Sequence, residues 1–162
     1  MVIDNISFQT PPKICQYMVS LLPVNVKSVL EPTPGAGNIL AELRKLRYNI
    51  FIPENDFWNM SLDKYNASVM NPPFTPMEEG YRILFRVMEH CNIVIALMPY
   101  LAIINSEKRV NKFIDFGLKS VTHLPRNVFK GSRVQTCILN LDNQYKGQVK
   151  YHFINKNFDL IK

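Results

Sequence analysis

The sequence predicts an α/β fold with a mostly parallel sheet that ends in an antiparallel hairpin, and three observations carry that expectation. Up to residue 118, short apolar runs rich in β-branched residues alternate with segments of helical period. Beyond it, strand-like runs succeed one another with no helix between them. The length, 162 residues with 47% hydrophobic content, suits one compact domain over 1–162 that can bury a real core.

Taken in order, VKSVLEP (26–32), YNIFIPE (48–54), ASVMN (67–71) and NIVIALMP (92–99) read as strands. Between them, GNILAELRKLR (37–47) and PMEEGYRILFRVMEH (76–90) place apolar residues at helical spacing, and SEKRVNKFIDFGL (106–118) does so before a closing Gly117–Leu118. Strand–helix–strand alternation implies crossovers and a parallel sheet covered on both faces. KSVTHL (119–124), RVQTCILNL (133–141) and QVKYHFI (148–154) are the later strands, and the turn-like DNQYKG predicts a hairpin joining the last two.

The net charge of +6 is concentrated at one end. Residues 1–103 hold 8 Lys/Arg and 9 Asp/Glu, whereas 104–162 hold 11 and 4. Cations so placed gain by releasing counterions from nucleic acid, although a solvated lysine-rich surface has the same composition. No run approaches the roughly 20 apolar residues of a membrane span, and MVIDNISFQTPPK lacks a basic region followed by an apolar core, so a cytoplasmic protein with no membrane partner is expected. Cys15, Cys91 and Cys137 form no CxxC pair and His90, His123 and His152 are isolated, so reduced thiols and no metal site are expected.

In open parallel sheets, ligands bind beyond the carboxyl ends of the strands where the winding reverses, which directs attention to the residues just past each strand. After the first comes EPTPGAGN: Glu31 and Pro32 end the strand, and Gly35 and Gly37 occupy a tight turn opening a helix. A dinucleotide fingerprint would need a third glycine where Leu40 stands, which disfavours NAD. Glu31 suits a ligand bearing an ammonium group better than one bearing phosphate. Glu54 lies 17 residues beyond Gly37, near the spacing at which an acid accepts hydrogen bonds from ribose. Asp56 and Phe57 add an acceptor and an aromatic face for an adenine ring. Ribose, adenine and an ammonium-bearing chain together describe S-adenosyl-L-methionine.

After the next strand comes VMNPPFTP (69–76), a poor way to continue a sheet because its prolines lack a backbone N–H. Pro-Pro is ordinary turn punctuation as well. Chemically, the Asn71 side-chain carbonyl and the Pro72 backbone carbonyl could accept both hydrogens of an amino group while Phe74 stacks on the attached ring. Pro72 and Pro73 would stiffen the loop and keep its acceptors preorganised. The segment reads as a clamp for a planar amine.

EPTPGAGN followed by NPPF resembles the amino-methyltransferases of nucleic acids, specifically the DNA adenine methyltransferases, whose motifs read roughly (D/E)PxxGxG and (D/N/S)PP(Y/F). FQTPPKICQYM (8–18) looks like their further cofactor motif, in the upstream position found in restriction-system enzymes, and VTHLPRNVFKGSRVQTCILNL is similar to type I modification subunits. The resemblance implies a class I, Rossmann-like S-adenosylmethionine-dependent methyltransferase fold and methyl transfer to the exocyclic amine of adenine in DNA. It implies a cofactor site of Phe8, Thr10, Pro11, Glu31, Pro32, Gly35, Gly37, Glu54, Asp56 and Phe57, and a catalytic loop of Asn71, Pro72, Pro73 and Phe74. A DNA target must be flipped out of the helix, and Arg126, Lys130 and Arg133 around NVFKG are then candidates for phosphate contact, the alternative being a plain strand connection. Trp58, Pro99 and Tyr100 come after neighbouring strand ends and are candidates for pocket walls.

Two departures from the family pattern bear on function. Asp56 to Asn71 is 16 residues counting both, so a helix–strand unit is shortened and an edge strand is expected to be missing. Only 88 residues come after Phe74, which leaves no room for a separate target-recognition domain and implies a very short target, a specificity partner or a homodimer. Alternative readings are an RNA or protein-glutamine acceptor, or a non-catalytic subunit that binds nucleic acid or a partner methyltransferase.

Overall fold

The computed structural model describes residues 9–161. Eight strands form one sheet: β1 (Ser28–Leu30), β2 (Asn49–Phe51), β3 (Tyr65–Met70), β4 (Cys91–Pro99), β5 (Leu118–His123), β6 (Thr136–Asp142), β7 (Lys150–Ile154) and β8 (Leu160–Ile161). Their order is β2–β1–β3–β4–β6–β5–β7–β8. Neighbours β2, β1, β3 and β4 are mutually parallel, β6 runs antiparallel between β4 and β5, β7 lies parallel to β5, and β8 is antiparallel to β7.

Helices cover both faces, and alternation along the central strands assigns each side chain to one of them. Ala67, Val69, Ile95 and Leu97 join Ile14, Cys15 and Met18 of α1 (Pro12–Ser20) and Ile39 and Leu43 of α2 (Asn38–Leu43). Met70, Val94, Ala96 and Met98 face α3 (Met77–His90) and Phe113 of α4 (Glu107–Phe116). On α3, Gly80, Ile83, Leu84 and Val87 are buried, the i, i+3, i+4, i+7 stripe of a helix packed along one side. Glu78 and Glu79 in its first turn complement the positive end of its dipole. In α4, Ser106 accepts from the Arg109 N–H and Gly117 closes the helix.

The sheet ends in an antiparallel hairpin, but its strands are β7 and β8, turning at residues 155–159, rather than the two flanking DNQYKG. Both edges of β6 are occupied by β4 and β5, which leaves β7 only the outer edge of β5. Asp142 organises the DNQYKG turn, accepting from Gln144 N at 3.1 Å through its side chain and from Tyr145 N at 2.8 Å through its carbonyl. Two further differences concern local chemistry. Helix α2 is shorter than its apolar period and gives way to turns from Arg44, and α1, whose N1 position is Pro12, lies in a stretch whose sequence shows a motif without announcing a helix. Between β2 and β3 the described chain makes one 3₁₀ turn, Phe57–Asn59, so β2 is the sheet edge, as the short spacing implies.

Helix α3 also positions the loop after β3. A Cβ at Gly80 would lie 2.5 Å from the Pro73 carbonyl oxygen, a backbone atom, so only glycine lets loop and helix approach this closely. Gly80→Ala is expected to lower unfolding free energy by about 1–3 kcal/mol, overpacking outweighing the better helix propensity of alanine. Urea denaturation checks this; equal or higher stability would mean that the loop is not seated on α3.

Candidate functional site

The chain leaves β1 for β2 on one side of the sheet and returns to β3 on the other, so the loops after β1 and β3 diverge over a crevice. A cleft of about 830 Å³ opens there, lined by residues of the segments 9–10, 32–39, 53–58 and 71–75 and by Glu79 and Ile83 of α3. Of the residues singled out from sequence, Thr10, Pro32, Gly35, Asp56, Phe57, Trp58, Asn71, Pro72, Pro73 and Phe74 line it. Pro11 caps α1, its carbonyl accepting from Ile14 and Cys15 N at 3.0 Å. Gly37 caps α2 with φ +86° beside Gly35 at +50°, both in the left-handed region, and a Cβ on Gly35 would press on the Gln9 side chain at 3.3 Å. Phe8 lies outside the described residues.

Hydrogen bonds tie these loops together. Asn71 Nδ2 donates to Thr10 Oγ1 at 3.0 Å, and Asn38 Nδ2 donates to the Thr10 carbonyl at 2.9 Å. The Thr33 hydroxyl lies 3.2 Å from the Asn71 carbonyl. Gln9 Oε1 accepts from Ala36 N at 3.3 Å. The donor end of the Asn71 amide is thus assigned to Thr10, which sets the direction of its carbonyl. Phe74 meets Phe129 edge to face with centroids 6.2 Å apart, and Phe129 directly precedes Lys130. The clamp loop and the basic loop therefore touch. Arg126, Lys130 and Arg133 are all solvent-accessible, and none forms a salt bridge among the described residues.

Two acids sit otherwise than their motifs suggest. Glu54 is exposed on the loop after β2, between lining residues Pro53 and Asn55, but does not itself line the cleft. Glu31 is fully buried and lies off the cleft wall. Its Oε1 accepts from Thr33 N at 2.9 Å, while Oε2 has no hydrogen-bond partner among the described residues. Burial pushes its carboxyl from the ordinary 4.5 up to about 8, against the lowering effect of the Thr33 hydrogen bonds.

The wall opposite the glycine turn joins Asp56, Phe57 and Trp58 to Glu79 and Arg82 of α3, two residues that the sequence alone does not single out. Trp58 Nε1 donates to Glu79 Oε1, Arg82 bridges Glu79 Oε2 at 3.0 Å, and the Arg82 guanidinium stacks over the Trp58 ring at 4.7 Å. The carboxylate of Asp56 caps the 3₁₀ turn that carries Phe57 and Trp58, accepting from Trp58 N at 3.2 Å. Thr33 and Asn38 belong to the EPTPGAGN motif but carry polar groups that only the fold brings to the clamp. Pro99 ends β4 and Tyr100 opens the 3₁₀ turn after it, and neither lines the cleft. The three cysteines are buried, and burial pushes each thiol up to about 12, which disfavours the thiolate form. No group of His, Cys, Asp and Glu among the described residues could hold a metal ion, and no helix among them is long and apolar enough to cross a membrane.

The titration of Glu31 is testable. Its folded carboxyl holds a proton that the unfolded chain has released, so stability falls as pH rises from about 4.5 to about 8 and levels beyond. Glu31→Gln keeps an oxygen for Thr33 and removes the ionisation. Its unfolding free energy relative to the parent should rise between about pH 5 and about pH 8; a constant difference would show that Glu31 ionises normally.

No family model matches the chain, and no curated protein matches it by sequence. Solved structures do match. A modification subunit assigned to a type I restriction enzyme of Vibrio vulnificus YJ016 superposes with a TM-score of 0.72 at 16% identity, over 95% of this chain and 48% of that one. The type I restriction-modification methyltransferase subunit of Streptococcus thermophilus gives 0.72 at 15%, over 96% and 49%. A Listeria monocytogenes protein assigned as a class I S-adenosylmethionine-dependent methyltransferase gives 0.71 at 16%, over 98% and 69%. The chain spans about half the length of the two type I subunits. Its fold is that of the class I S-adenosylmethionine-dependent methyltransferases, an α/β sheet mostly parallel and closed by an antiparallel hairpin.

Proposed function

We propose that the chain transfers a methyl group from S-adenosyl-L-methionine to the exocyclic amino group of adenine in DNA. The observation that carries this reading is that the glycine turn after β1 and the Asn71–Phe74 loop after β3 line one cleft and are tied to each other through Thr10 and Thr33. The resemblance of both loops to the adenine methyltransferases supports it, as do structural neighbours named as restriction-modification subunits.

The residues present fit the cofactor. The left-handed turn at Gly35 and Gly37 removes side-chain bulk from one wall, Phe57 and Trp58 supply aromatic surface, and Asp56 and Asn55 supply polar groups on the other. Thr10, which holds the Asn71 amide, and Pro32 border the cleft beside the clamp loop. Bound there, S-adenosyl-L-methionine supplies an electrophilic methyl group on a sulfonium. The chain's own residues prepare the acceptor. Asn71 Oδ1 and the Pro72 carbonyl accept the two amino hydrogens and turn the nitrogen lone pair toward the methyl, while Phe74 stacks on the base. The proton is released to water after transfer, so no general base is required beforehand. Glu31, buried beneath the turn, positions Thr33 rather than touching the ligand.

For duplex DNA the acceptor base must be extruded, and the cations Arg126, Lys130 and Arg133 lie on the loop that touches Phe74 through Phe129. In this reading they contact phosphates beside the extruded base.

Incubating unmethylated DNA with the protein and S-adenosyl-L-methionine, followed by nucleoside mass spectrometry, tests the reading. N6-methyladenine should form, and Asn71→Ala should reduce its rate by about a hundredfold or more while calorimetric cofactor binding persists. Unchanged turnover in Asn71→Ala would overturn the clamp. Methylation of RNA or of protein glutamine instead would overturn the acceptor, and absence of cofactor binding would favour a non-catalytic subunit.

A further inference from the structure

Three aromatic rings stand together at the carboxyl edge of the sheet, outside the cleft. Tyr100 comes directly after β4, His123 ends β5 and Phe153 lies near the end of β7. Tyr100 and His123 meet with centroids 5.2 Å apart at 78°, and His123 and Phe153 at 5.6 Å and 45°. Phe153 is 50% exposed, and Tyr151, on the same face of β7, is 57% exposed. Helix α4 meets β5 and β6, and α1 reaches the same end of the sheet through the Tyr17 and Thr122 hydroxyls, 2.7 Å apart, and through Lys13, which pairs with Asp159 at 3.1 Å.

The surroundings are cationic. Residues 124–135, the loop after β5, carry Arg126, Lys130 and Arg133 and no acid. Asn127 Nδ2 donates to the Lys156 carbonyl at 3.0 Å, which pins that loop to the turn just beyond Phe153. Midway along, the same loop reaches the clamp through the Phe129–Phe74 contact, and its far end returns to Tyr100, whose N–H donates to the Gln135 carbonyl at 2.7 Å. One basic segment therefore spans from the amine clamp to the ring array.

We infer that this surface binds unpaired nucleotides flanking the methyl acceptor, their bases stacking on Tyr100, His123 and Phe153 and their phosphates meeting the 126–133 cations. The inference rests on the proposed reaction for the identity of the acceptor, but the surface is defined by its own residues. Base–aromatic stacking tolerates any sequence because every base has a π face. Rings inclined to one another by 45° and 78° suit bases splayed along a flexible single strand and do not match the parallel stack of a duplex. The charge of the neighbouring loop selects a polyanion over an apolar protein surface as the occupant.

Fluorescence anisotropy with a fluorescein-labelled single-stranded DNA oligonucleotide and the same sequence as a duplex tests this, beside sedimentation velocity and calorimetric cofactor binding. Single-stranded DNA should bind more tightly than duplex. Phe153→Ala and Tyr100→Ala should each weaken the single strand about tenfold, leave the duplex and the cofactor unchanged, and Phe153→Trp should restore binding. The inference is overturned if both alanine variants bind single strands as the parent does, if they weaken single strand and duplex alike, or if Phe153→Ala instead dissociates a dimer. Ring-dependent binding without methyl transfer would remove the reaction and keep the surface; methylation with no ring dependence would do the reverse.

Discussion

Thr10 holds the cleft in register. Its hydroxyl takes the Asn71 amide and its carbonyl takes the Asn38 amide, so the segment before α1, the start of α2 and the loop after β3 share one nearly inaccessible residue. Loops at a topological switch point diverge by construction, and without cross-links each would sample its own conformations. Buried amide hydrogen bonds are worth most when every partner is already fixed, and here α1 and α2 pack on the same core as β3. Thr33 adds the second link, from the loop after β1 to the Asn71 carbonyl. Gly80 adds the third constraint by admitting the Pro73 carbonyl against α3. A loop held by three elements keeps its acceptors in place before any ligand arrives, the condition under which hydrogen-bonding groups contribute most to catalysis.

Much of this is readable in the chain because local chemistry decides it. The apolar runs of β3 and β4 and the apolar stripe of α3 are each nearly independent of context, and the structure reproduces them. Glycines at 35 and 37 and the proline pair at 72 and 73 announce the two loops that line the cleft. What escapes is set by competition among distant segments. DNQYKG is a sound turn, yet whether β7 pairs with β6 depends on β5 having taken that edge, a fact no window of sequence contains. Asn38 and Thr33 look like ordinary cap and turn residues until the fold brings Thr10 and Asn71 within reach. Glu54 and Glu31 show the converse. Spacing places both at strand ends, but spacing does not say whether a side chain at a strand end faces the crevice, the solvent or the core.

Glu31 is the case with most consequence for charge. An ionised carboxylate inside the protein is costly without a partner, and the Thr33 hydrogen bonds satisfy one of its two oxygens. The carboxyl therefore stays protonated in the neutral range, and at that protonation state it is a rigid acceptor for the turn rather than a source of negative potential. A cation brought into the cleft changes the balance, because a positive charge near a buried carboxyl favours its ionised form. Linkage makes the effect reciprocal: whatever free energy the cation contributes to ionising Glu31 returns as tighter binding of the cation at higher pH. Thr33, which lines the cleft, holds Glu31 on one side and the Asn71 carbonyl on the other, so the coupling acts through one turn. A single buried carboxyl can in this way connect the charge state of the cleft to the geometry of the Asn71–Phe74 loop without lining the cleft itself.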